Sequence, residues 1–241
     1  MTSRTLITVA TYNEIENLPD LVDQIFEFAA DVDMLIVDDN SPDGTGDWCD
    51  RKAAEDQRVH CLHRTGKLGL GTAIVAGMQY AIEHGYDYVL NMDADFSHHP
   101  RYIPSLREGM EGDDAVDVMI GSRYVPAGGV ENWPLRRKAM SRGVNLYARC
   151  LLGLRPRDCS GAFRCFRIER LEQLEFDEIR SRGYSFQEEI LWLLKRAGAT
   201  FGEAPIVFAD RERGLSKING SEAREALWLI FRLGITNWVG L

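Results

Sequence analysis

Short apolar runs alternate with amphipathic segments through the first half of the chain. The runs have the length and composition of buried strands, and they cover residues 6–10, 34–37, 59–62, 88–92 and 116–120. Apolar residues at helical spacing predict helices between them: one starts after Asn17 as a possible cap, and others cover residues 73–84 and 100–110. Strands that alternate with helices in this way indicate right-handed βαβ units and a mostly parallel sheet. The first half is therefore predicted to be a Rossmann-like α/β fold.

The second half of the chain has a different character. A loop rich in Gly and Pro over residues 124–134 precedes a predicted basic helix at 135–152. Further on come a short strand at 162–166, a helix at 186–197 and a strand at 201–208. Residues 221–241 place large apolar side chains among charged ones, which predicts an amphipathic helix. We expect one domain over residues 1–220, with this helix either docked on it or lying on a membrane or partner.

Composition limits the classes of function that the chain can serve. Its 241 residues, 45% of them hydrophobic, suffice for one large domain, and a net charge of −9 argues against a general nucleic-acid binder. The charge is locally inverted: residues 123–157 carry eight basic side chains against one acidic one, a net charge of +7. Such a segment indicates an anionic ligand or a membrane surface, or else a solvated helix face.

Cysteine usage and the N-terminal segment bear on location. Five cysteines without a C-x-x-C spacing indicate neither a disulfide framework nor a zinc knuckle, and they favour reduced, cytosolic thiols. The first apolar run reaches Glu14 too soon for a signal peptide. The sequence holds no run approaching the roughly 20 apolar residues of a membrane-spanning helix. A cytoplasmic protein without a signal peptide or transmembrane helix is therefore predicted.

Two carboxylates, Asp93 and Asp95, follow the predicted strand at 88–92. Open α/β sheets bind ligands at the carboxyl ends of their strands. Alternation along an extended chain places both carboxylates on one side, and such hard oxygen ligands suit Mg²⁺ or Mn²⁺. A solvated strand end is the alternative. The neighbouring His98 and His99 precede Pro100 and are expected to point apart, which argues against a histidine metal site.

Other polar clusters follow the first two predicted strands. Thr11-Tyr12-Asn13-Glu14 comes after one strand and residues 38–45 come after the next, so both are expected to line one pocket. Asp39 could instead cap the helix that follows. Glycines at 66, 69, 71 and 77 permit the backbone to approach a ligand or a neighbouring helix closely.

Together with further motifs, these clusters are similar to those of a known family. The additional motifs are Lys67-Leu68-Gly69-Leu70-Gly71, residues 92–99, Gly121-Ser122-Arg123-Tyr124, Glu131-Asn132-Trp133, Ser160-Gly161-Ala162-Phe163-Arg164, residues 183–189, Asp210-Arg211 and Ser216-Lys217. In this order, they resemble the family-two glycosyltransferases of the GT-A fold, and within them the dolichol-phosphate (polyprenol-phosphate) mannose synthases. Two positions depart from the pattern: Ala10 stands where many relatives have proline, and Ser97 where some have a metal-binding glutamine.

The resemblance implies a GDP-mannose donor, a Mg²⁺ or Mn²⁺ ion, and a polyprenyl or dolichyl phosphate acceptor. It implies that Asp95 and Arg123 are catalytic and that Asp93 and Asp95 hold the metal, with Ser97 as an uncertain third ligand. It places Arg123, Arg137 and Ser141 at the acceptor phosphate. The donor site would comprise Ala10, Tyr12, Glu14, Val37, Asp39, Asp93, Ala94, Asp95, Arg123, Arg211 and Lys217. Membrane attachment would be peripheral, at the cytosolic face, or supplied by a small anchoring partner.

The expected chemistry agrees with these residue types. A metal and arginines can stabilise the charge that develops on a diphosphate leaving group. A phosphate acceptor is already ionised, with a second pKa of about 6, so it needs no general base, and direct attack would invert the anomeric centre. Glu188 and Glu189 could serve as a base for a hydroxyl acceptor, and Glu189 is expected instead to orient an arginine. Another donor such as UDP-glucose, and a non-catalytic subunit that binds nucleotide sugars, remain as alternative hypotheses.

Overall fold

A mixed β-sheet forms the centre of the computed structural model, which describes residues 3–209 and 220–239. Its strands are β1 (Thr5–Thr11), β2 (Asp33–Asp38), β3 (Val59–His63), β4 (Tyr88–Asp93), β5 (Val118–Ser122), β6 (Gly129–Val130), β7 (Arg164–Arg167), β8 (Phe201–Pro205) and β9 (Val207–Phe208). Seven of them form one sheet in the order β3-β2-β1-β4-β7-β5-β8, and β6 pairs with β9 separately.

Helices cover both faces of this sheet. They are α1 (Leu18–Phe28), α2 (Thr45–Glu55), α3 (Leu70–Glu83), α4 (Ile103–Glu108), α5 (Leu135–Leu152), α6 (Ile168–Leu171), α7 (Phe186–Arg196) and α8 (Gly220–Val239), with 3-10 turns at Pro100–Tyr102 and Phe176–Glu178. Strand β7 runs antiparallel to β4 and β5, and the other pairs in the sheet are parallel. The predicted α/β fold with a mostly parallel mixed sheet flanked by helices is confirmed.

The core has two layers because side chains alternate across the sheet. On β1, Leu6 belongs to one buried cluster, which includes residues of α3 and α7. Its neighbour Ile7 belongs to a second cluster, with residues of α1 and α4. The almost continuous apolar runs of the central strands therefore have a simple cause: both faces are covered.

Several predicted features differ in detail from those observed. The strand expected at 201–208 divides after Pro205, because its partner β5 ends opposite, at Ser122. The helix expected at 100–110 is a 3-10 turn followed by α4, since Pro104 has no N–H for a continuous helical ladder. Asn17 precedes α1 without a side-chain capping bond; its amide donates to Glu14 instead. Helix α2 was not delineated from the sequence.

Glycine at position 69 serves the packing of the protein on itself. Its φ is +106°, and a Cβ there would lie 2.4 Å from the carbonyl oxygen of Arg182. The next glycine, Gly71, donates its backbone N–H to the same oxygen at 2.9 Å. Of the two roles that the sequence left open for these glycines, close approach to a neighbouring segment is the one observed.

The C-terminal helix α8 docks on α5 and α7. Ile230 and Leu233 are buried, and the Trp238 indole donates to the Leu151 carbonyl at 2.9 Å. The Trp192 indole on α7 donates to Asn237 at 3.3 Å. Helix α8 is thus part of the packed structure, while the division at residue 220 stays a prediction. No helix in the described ranges has the length and apolar character needed to cross a bilayer.

Candidate active site

The strand register brings the predicted donor residues to one edge of the sheet. Ala10 on β1 lies directly between Val37 on β2 and Asp93 on β4. Residues that follow these three positions therefore emerge side by side at the carboxyl edge, as the parallel topology requires. Ala10 is partly buried and Val37 is part of the core. The direct donor contacts expected of Ala10 and Val37 stay predictions.

Two aspartates fasten the loops at this edge. Asp38 accepts hydrogen bonds from the Thr11 hydroxyl at 2.9 Å and from the Ser41 hydroxyl at 2.6 Å. Asp43 accepts from the Thr45 hydroxyl at 2.6 Å. Helix α2 begins after Gly44 without a side-chain capping bond, so the capping role that the sequence left as an alternative for Asp39 is not observed.

Asp39 and Arg64 form a nearly buried ion pair, with Arg64 Nε 3.2 Å from Asp39 Oδ1 and side-chain exposures of 9% and 8%. Burial raises the pKa of Asp39 above its ordinary value, and Arg64 acts in the opposite direction. Within the described ranges, Asp39 Oδ1 has no aligned hydrogen-bond donor. A buried carboxylate oxygen in this state fits a nucleotide that brings hydroxyl or N–H donors.

Tyr12 is partly buried at the same edge and lies next to the exposed Lys67. The ammonium group of Lys67 lies 4.6 Å from the centre of its ring, within the range of a cation–π contact. Glu14, two residues further on, accepts from the Asn17 amide at 3.0 Å. The structure thus brings Tyr12, Glu14 and Asp39 to one region, and their binding of the donor stays a prediction.

The acidic pair lies where β4 ends. Because β4 stops at Asp93, strand alternation does not extend to Asp95, which lies in the bend that follows. Asp95 is 8% exposed, and its Oδ1 accepts from the Ser97 backbone N–H at 3.1 Å and from the Ser97 hydroxyl at 2.5 Å. Ser97 therefore orients the Asp95 carboxylate. The adjoining Ala94 is buried. Metal binding by Ser97 stays a prediction.

The two histidines face different neighbours, as their sequence position indicates. His98 is 2% exposed and stacks on Phe163. Its Nδ1 accepts a hydrogen bond from the Asp93 backbone N–H at a distance of 3.3 Å. His99 accepts from the Arg101 backbone at 3.1 Å and contacts the edge of Phe28. His98 thus supports Asp93 from within the core, and the pair does not converge on one point.

Asp93 and Asp95 have the donor chemistry of a magnesium or manganese site. Both offer hard carboxylate oxygens, and in the described ranges no group of three or more His, Cys, Asp or Glu ligands includes them. Mg²⁺ commonly binds through one or two carboxylates and fills its other positions with substrate phosphates and water. The residues therefore fit an ion that arrives with a diphosphate.

Arg123 is held by a partner that the sequence analysis missed. Its Nε and Nη2 donate to the two carboxylate oxygens of Asp158, each at 2.7 Å, and Nη2 also donates to Ser160. Side-chain exposures are 7% for Arg123 and 0% for Asp158. Asp158 thus occupies the edge of the guanidinium formed by Nε and Nη2, which could otherwise pair with two phosphate oxygens. Phosphate binding by Arg123 stays a prediction.

The Arg123 and Asp158 charges belong to a larger buried group with Arg164 and Glu188. Burial acts to raise the pKa of Asp158, but Arg123 outweighs it, so that pKa lies below its ordinary value. Burial lowers the pKa of Arg164 to about 10. Burial raises the pKa of Glu188 to about 7, against the attraction of Arg164. Three of these groups are paired or hydrogen-bonded as ions, while Glu188 is the member that burial drives toward the neutral form.

Within the described ranges, Glu189 fastens a loop and is bonded to no arginine side chain. It accepts from the backbone N–H groups of Arg180 and Ser181, at 3.1 Å and 2.8 Å to its nearer oxygens. The prediction for Glu189 is therefore wrong in its partner: the group it holds is backbone. This loop is the one that packs against Gly69 and Gly71.

A basic cavity of about 620 Å³ opens beside Arg123. Three further arginines line it: Arg142, Arg149 and Arg157. Arg142 and Arg149 lie seven residues apart on α5, two helical turns, and so share a face. The positive segment seen in the sequence thus lines a concave surface with the charge for an anion. Arg142 and Arg157 are also exposed to solvent, so the solvated face stays the alternative.

The two α5 residues expected at the acceptor phosphate lie beside this cavity rather than among its lining residues. The Arg137 guanidinium lies 4.0 Å from the centre of the Trp133 ring. The Ser141 hydroxyl accepts from the Tyr124 hydroxyl at 2.6 Å, and Tyr124 does line the cavity. Phosphate binding by Arg137 and Ser141 stays a prediction. Arg211 and Lys217 lie outside the described residues.

Sequence comparisons decide the family. The model for "Glycosyl transferase family 2" matches residues 6–174. The chain belongs to glycosyltransferase family 2. This glycosyltransferase is 44% identical over 239 residues to undecaprenyl-phosphate mannosyltransferase of Micrococcus luteus, covering 99% of this chain and 97% of the relative. It is 43% identical over 235 residues to polyprenol monophosphomannose synthase of Mycolicibacterium smegmatis, covering 97% of this chain and 88% of that relative.

Solved structures share the fold of this glycosyltransferase at low sequence identity. Glucosyl-3-phosphoglycerate synthase of Mycobacterium tuberculosis, in complex with Mn²⁺, UDP and glucosyl-3-phosphoglycerate, superposes with a TM-score of 0.64 and 16% identity over 98% of this chain and 80% of its own. A mannosyltransferase of Pyrobaculum calidifontis, in complex with GDP-mannose and Mn²⁺, superposes with a TM-score of 0.58 and 14% sequence identity. The match covers 99% of this chain and 75% of the neighbour. The predicted glycosyltransferase class is confirmed.

Replacing Asp158 with Asn should strongly destabilise the protein. The change leaves the buried Arg123 charge without its counter-ion, which costs about 3–5 kcal/mol in comparable pairs. The matched control is Asp31→Asn, which breaks an ion pair with Arg107 whose carboxylate is 62% exposed; a pair of that kind contributes about 0–1 kcal/mol. Urea denaturation of both variants measures the difference. Equal losses would show that the buried pair has no special weight.

Glu188 should make the protein less stable as pH rises. Its folded pKa of about 7 lies above the ordinary value near 4.5, so the unfolded chain releases this proton first and the free energy of unfolding falls across that interval. The loss is on the order of 3 kcal/mol. Denaturation curves from pH 5 to 8 should show Glu188→Gln gaining stability relative to wild type as pH increases. Glu178→Gln, at an exposed site, is the control, and its free energy of unfolding should differ from that of wild type by the same amount at every pH. If the free energy of unfolding of Glu188→Gln also runs parallel to that of wild type, the account is contradicted.

Proposed function

We propose that this chain transfers mannose from GDP-mannose to the phosphate of a polyprenol or dolichol, with inversion to a β-mannosyl phosphoryl product. The observation that carries the proposal is the position of Arg123 between an acidic strand edge and a cavity lined by arginines. Both full-length relatives are named for mannosyl transfer or synthesis with polyprenyl phosphates, which supports the same sugar and acceptor here.

Contacts connect the two halves of the proposed site. Arg123 is close enough to Asp93 for their charges to interact. The ring of Phe208 lies 5.5 Å from the Arg123 guanidinium and 5.3 Å from the His98 ring, and His98 in turn supports Asp93. One guanidinium thus faces both a donor bound at the strand edge and an anion in the cavity. Bringing two anionic reactants together is what this reaction requires.

On the donor side, the chain supplies polar groups that orient a nucleotide. The Asp39 carboxylate accepts hydrogen bonds from N–H or O–H groups of the nucleoside. Tyr12 and Lys67 lie at the same strand edge and contact the nucleotide from the solvent side. Asp93 and Asp95 would hold a Mg²⁺ or Mn²⁺ ion, which supplies positive charge beside the diphosphate leaving group. Solved neighbours of this fold hold GDP-mannose in one case and UDP in another, so UDP-glucose is the alternative donor.

On the acceptor side, arginines replace the general base of other glycosyltransferases. A phosphate monoester is largely ionised at neutral pH, since its second pKa is about 6. Arg142, Arg149 and Arg157 offset its charge in the cavity. Glu188 has the raised pKa of a base, but its side chain is 4% exposed and surrounded by the buried charge group, which disfavours a hydroxyl acceptor.

A surface with exposed apolar side chains lies next to the cavity. Leu146 lines the cavity and is 58% exposed, and Met140 on the same helix is also exposed. Helix α8, packed against α5, adds exposed large side chains: Leu227, Trp228, Phe231, Ile235 and Trp238. Apolar and aromatic side chains beside arginines suit the interface of an anionic bilayer. Peripheral attachment there, at the cytosolic face, would bring the cavity to a lipid-linked phosphate.

Replacing Asp95 with Asn should abolish transfer while leaving the fold intact. Loss of metal-assisted charge stabilisation should lower turnover by at least about a thousandfold. The assay supplies radiolabelled GDP-mannose, polyprenyl phosphate and Mg²⁺ or Mn²⁺, and measures label in the organic phase. The exposed carboxylate variant Asp20→Asn is the control and should retain activity. Metal-dependent turnover by the Asp95 variant would refute the assignment, and transfer from UDP-glucose alone would refute the donor.

Replacing Trp228 with Ser should weaken binding to vesicles that contain anionic lipid. The Trp228 side chain is 67% exposed, so its removal should cost mainly membrane contact, by about tenfold in affinity. Co-sedimentation measures the effect. The control is Phe28→Ser on the distant helix α1, where the ring is 38% exposed. Equal retention of both variants on vesicles would show that α8 does not face the membrane.

A further inference from the structure

A cluster of metal-binding side chain types lies between α2 and the end of β3, apart from Asp93 and Asp95. One oxygen of Asp50, the Cys61 sulfur and a ring nitrogen of His63 all lie within 4.8 Å of one another. Cys49 adjoins Cys61 from the buried side. We propose that Asp50, Cys61 and His63 form a binding site for Zn²⁺.

The contacts converge on one ring nitrogen. His63 Nε2 lies 2.7 Å from Asp50 Oδ1 and 3.4 Å from Cys61 Sγ. In a catalytic Cys-His-Asp relay the carboxylate and the sulfur use different ring nitrogens, so this arrangement cannot pass a proton from one to the other. A single proton on Nε2 can be directed well at only one of the two acceptors. A cation among the three atoms satisfies all of them.

The distances suit tetrahedral zinc. Bonds of about 2.3 Å to sulfur and 2.0–2.1 Å to nitrogen place the two donors about 3.5 Å apart at a tetrahedral angle. The observed separation of nitrogen and sulfur, 3.4 Å, needs almost no movement. The separation of nitrogen and oxygen must widen from 2.7 Å to about 3.3 Å, which the exposed Asp50 side chain can accommodate by rotating. Asp50 and His63 have side-chain exposures of 61% and 48%, so an ion can enter from solvent.

The surroundings favour a thiolate at Cys61. Cys49 adjoins Cys61, and their interaction raises the pKa of Cys49 and lowers that of Cys61. Cys61 is therefore the sulfur of the two that is better suited to bind a metal. Asp50 raises the pKa of His63, so protons compete with the metal and binding should weaken in acid. A soft sulfur ligand separates this site from the oxygen-only pair at Asp93 and Asp95.

Sequence spacing hides this cluster. Cys49 and Asp50 lie on α2, while Cys61 and His63 lie on β3, so no C-x-x-C pattern forms. The close approach of α2 to β3 depends on Gly46, where a Cβ would lie 3.2 Å from the His63 ring. The absence of a C-x-x-C spacing argues against a zinc knuckle within one segment, whereas these ligands come from two elements.

Cobalt titration of the full-length protein tests the proposal. Co²⁺ serves as the probe, with excess Mg²⁺ present to occupy the Asp93 and Asp95 edge. We expect one equivalent of Co²⁺ to bind with a thiolate-to-metal charge-transfer band and the visible absorption of tetrahedral cobalt, and we expect Zn²⁺ to displace it. Cys61→Ser and His63→Asn should each weaken binding more than the roughly 10–100-fold loss that follows removal of an outer partner.

Two comparisons make the outcome decisive. Cys150→Ser, which removes an exposed cysteine on α5, should leave the charge-transfer band and affinity unchanged. Zinc should raise the melting temperature of wild type and of this control, but not of Cys61→Ser. Melting temperatures that equal that of wild type in the absence of metal show that the variants are folded. If Cys61→Ser or His63→Asn does not fold, Asp50→Asn replaces it as the ligand variant. Absence of the charge-transfer band, equal affinity in Cys61→Ser, or a Cys49–Cys61 disulfide without metal binding would overturn the proposal.

Discussion

The buried ion pair between Arg123 and Asp158 is the interaction on which the site depends. It joins the end of β5 to the loop before β7, elements 35 residues apart in sequence, through three hydrogen bonds from Arg123 to one carboxylate. Glu203 on β8 holds the same loop through the backbone N–H groups of Arg157 and Asp158. A buried pair of this kind adds little net stability but leaves few alternative positions for its members. Arg123 is therefore a fixed charge at the centre of the site.

A fixed charge is useful because the reactants proposed for this glycosyltransferase are both anionic. In the proposed reaction, the strand edge would provide carboxylates for a metal that accompanies the donor, while α5 would provide arginines for the acceptor. Asn145 on α5 links the two sides by accepting backbone N–H groups of Cys159 and Ser160, next to Asp158. Preorganised charges of this kind stabilise a transition state without reorganising during the reaction. The apolar surface of α5 and α8 then accounts for how a lipid-linked phosphate could reach them.

Much of this arrangement follows from local sequence, and the remainder from long-range packing. Apolar runs locate the central strands, and parallel topology alone places Asp39 near Asp93. Local pattern does not reveal that Asp158 pairs with Arg123, because β7 inserts between β4 and β5 out of sequence order. It also cannot assign Arg142 and Arg149 to the cavity in place of Arg137. That choice depends on the rotation of α5, which buries Asn145, Ala148 and Leu152. Family resemblance indicated the chemistry, whereas the structure shows which of the implied side chains lie together.

Diffraction from crystals grown with GDP-mannose and Mn²⁺, collected at the manganese absorption edge, tests the central claim most directly. The account predicts an anomalous peak bonded to carboxylate oxygens of Asp95, with the diphosphate beside it. It also predicts that the mannose C1 faces the side of Arg123 on which Arg142 and Arg149 line the cavity. A bound nucleotide without manganese at Asp93 and Asp95, or a sugar turned away from that cavity, would contradict it.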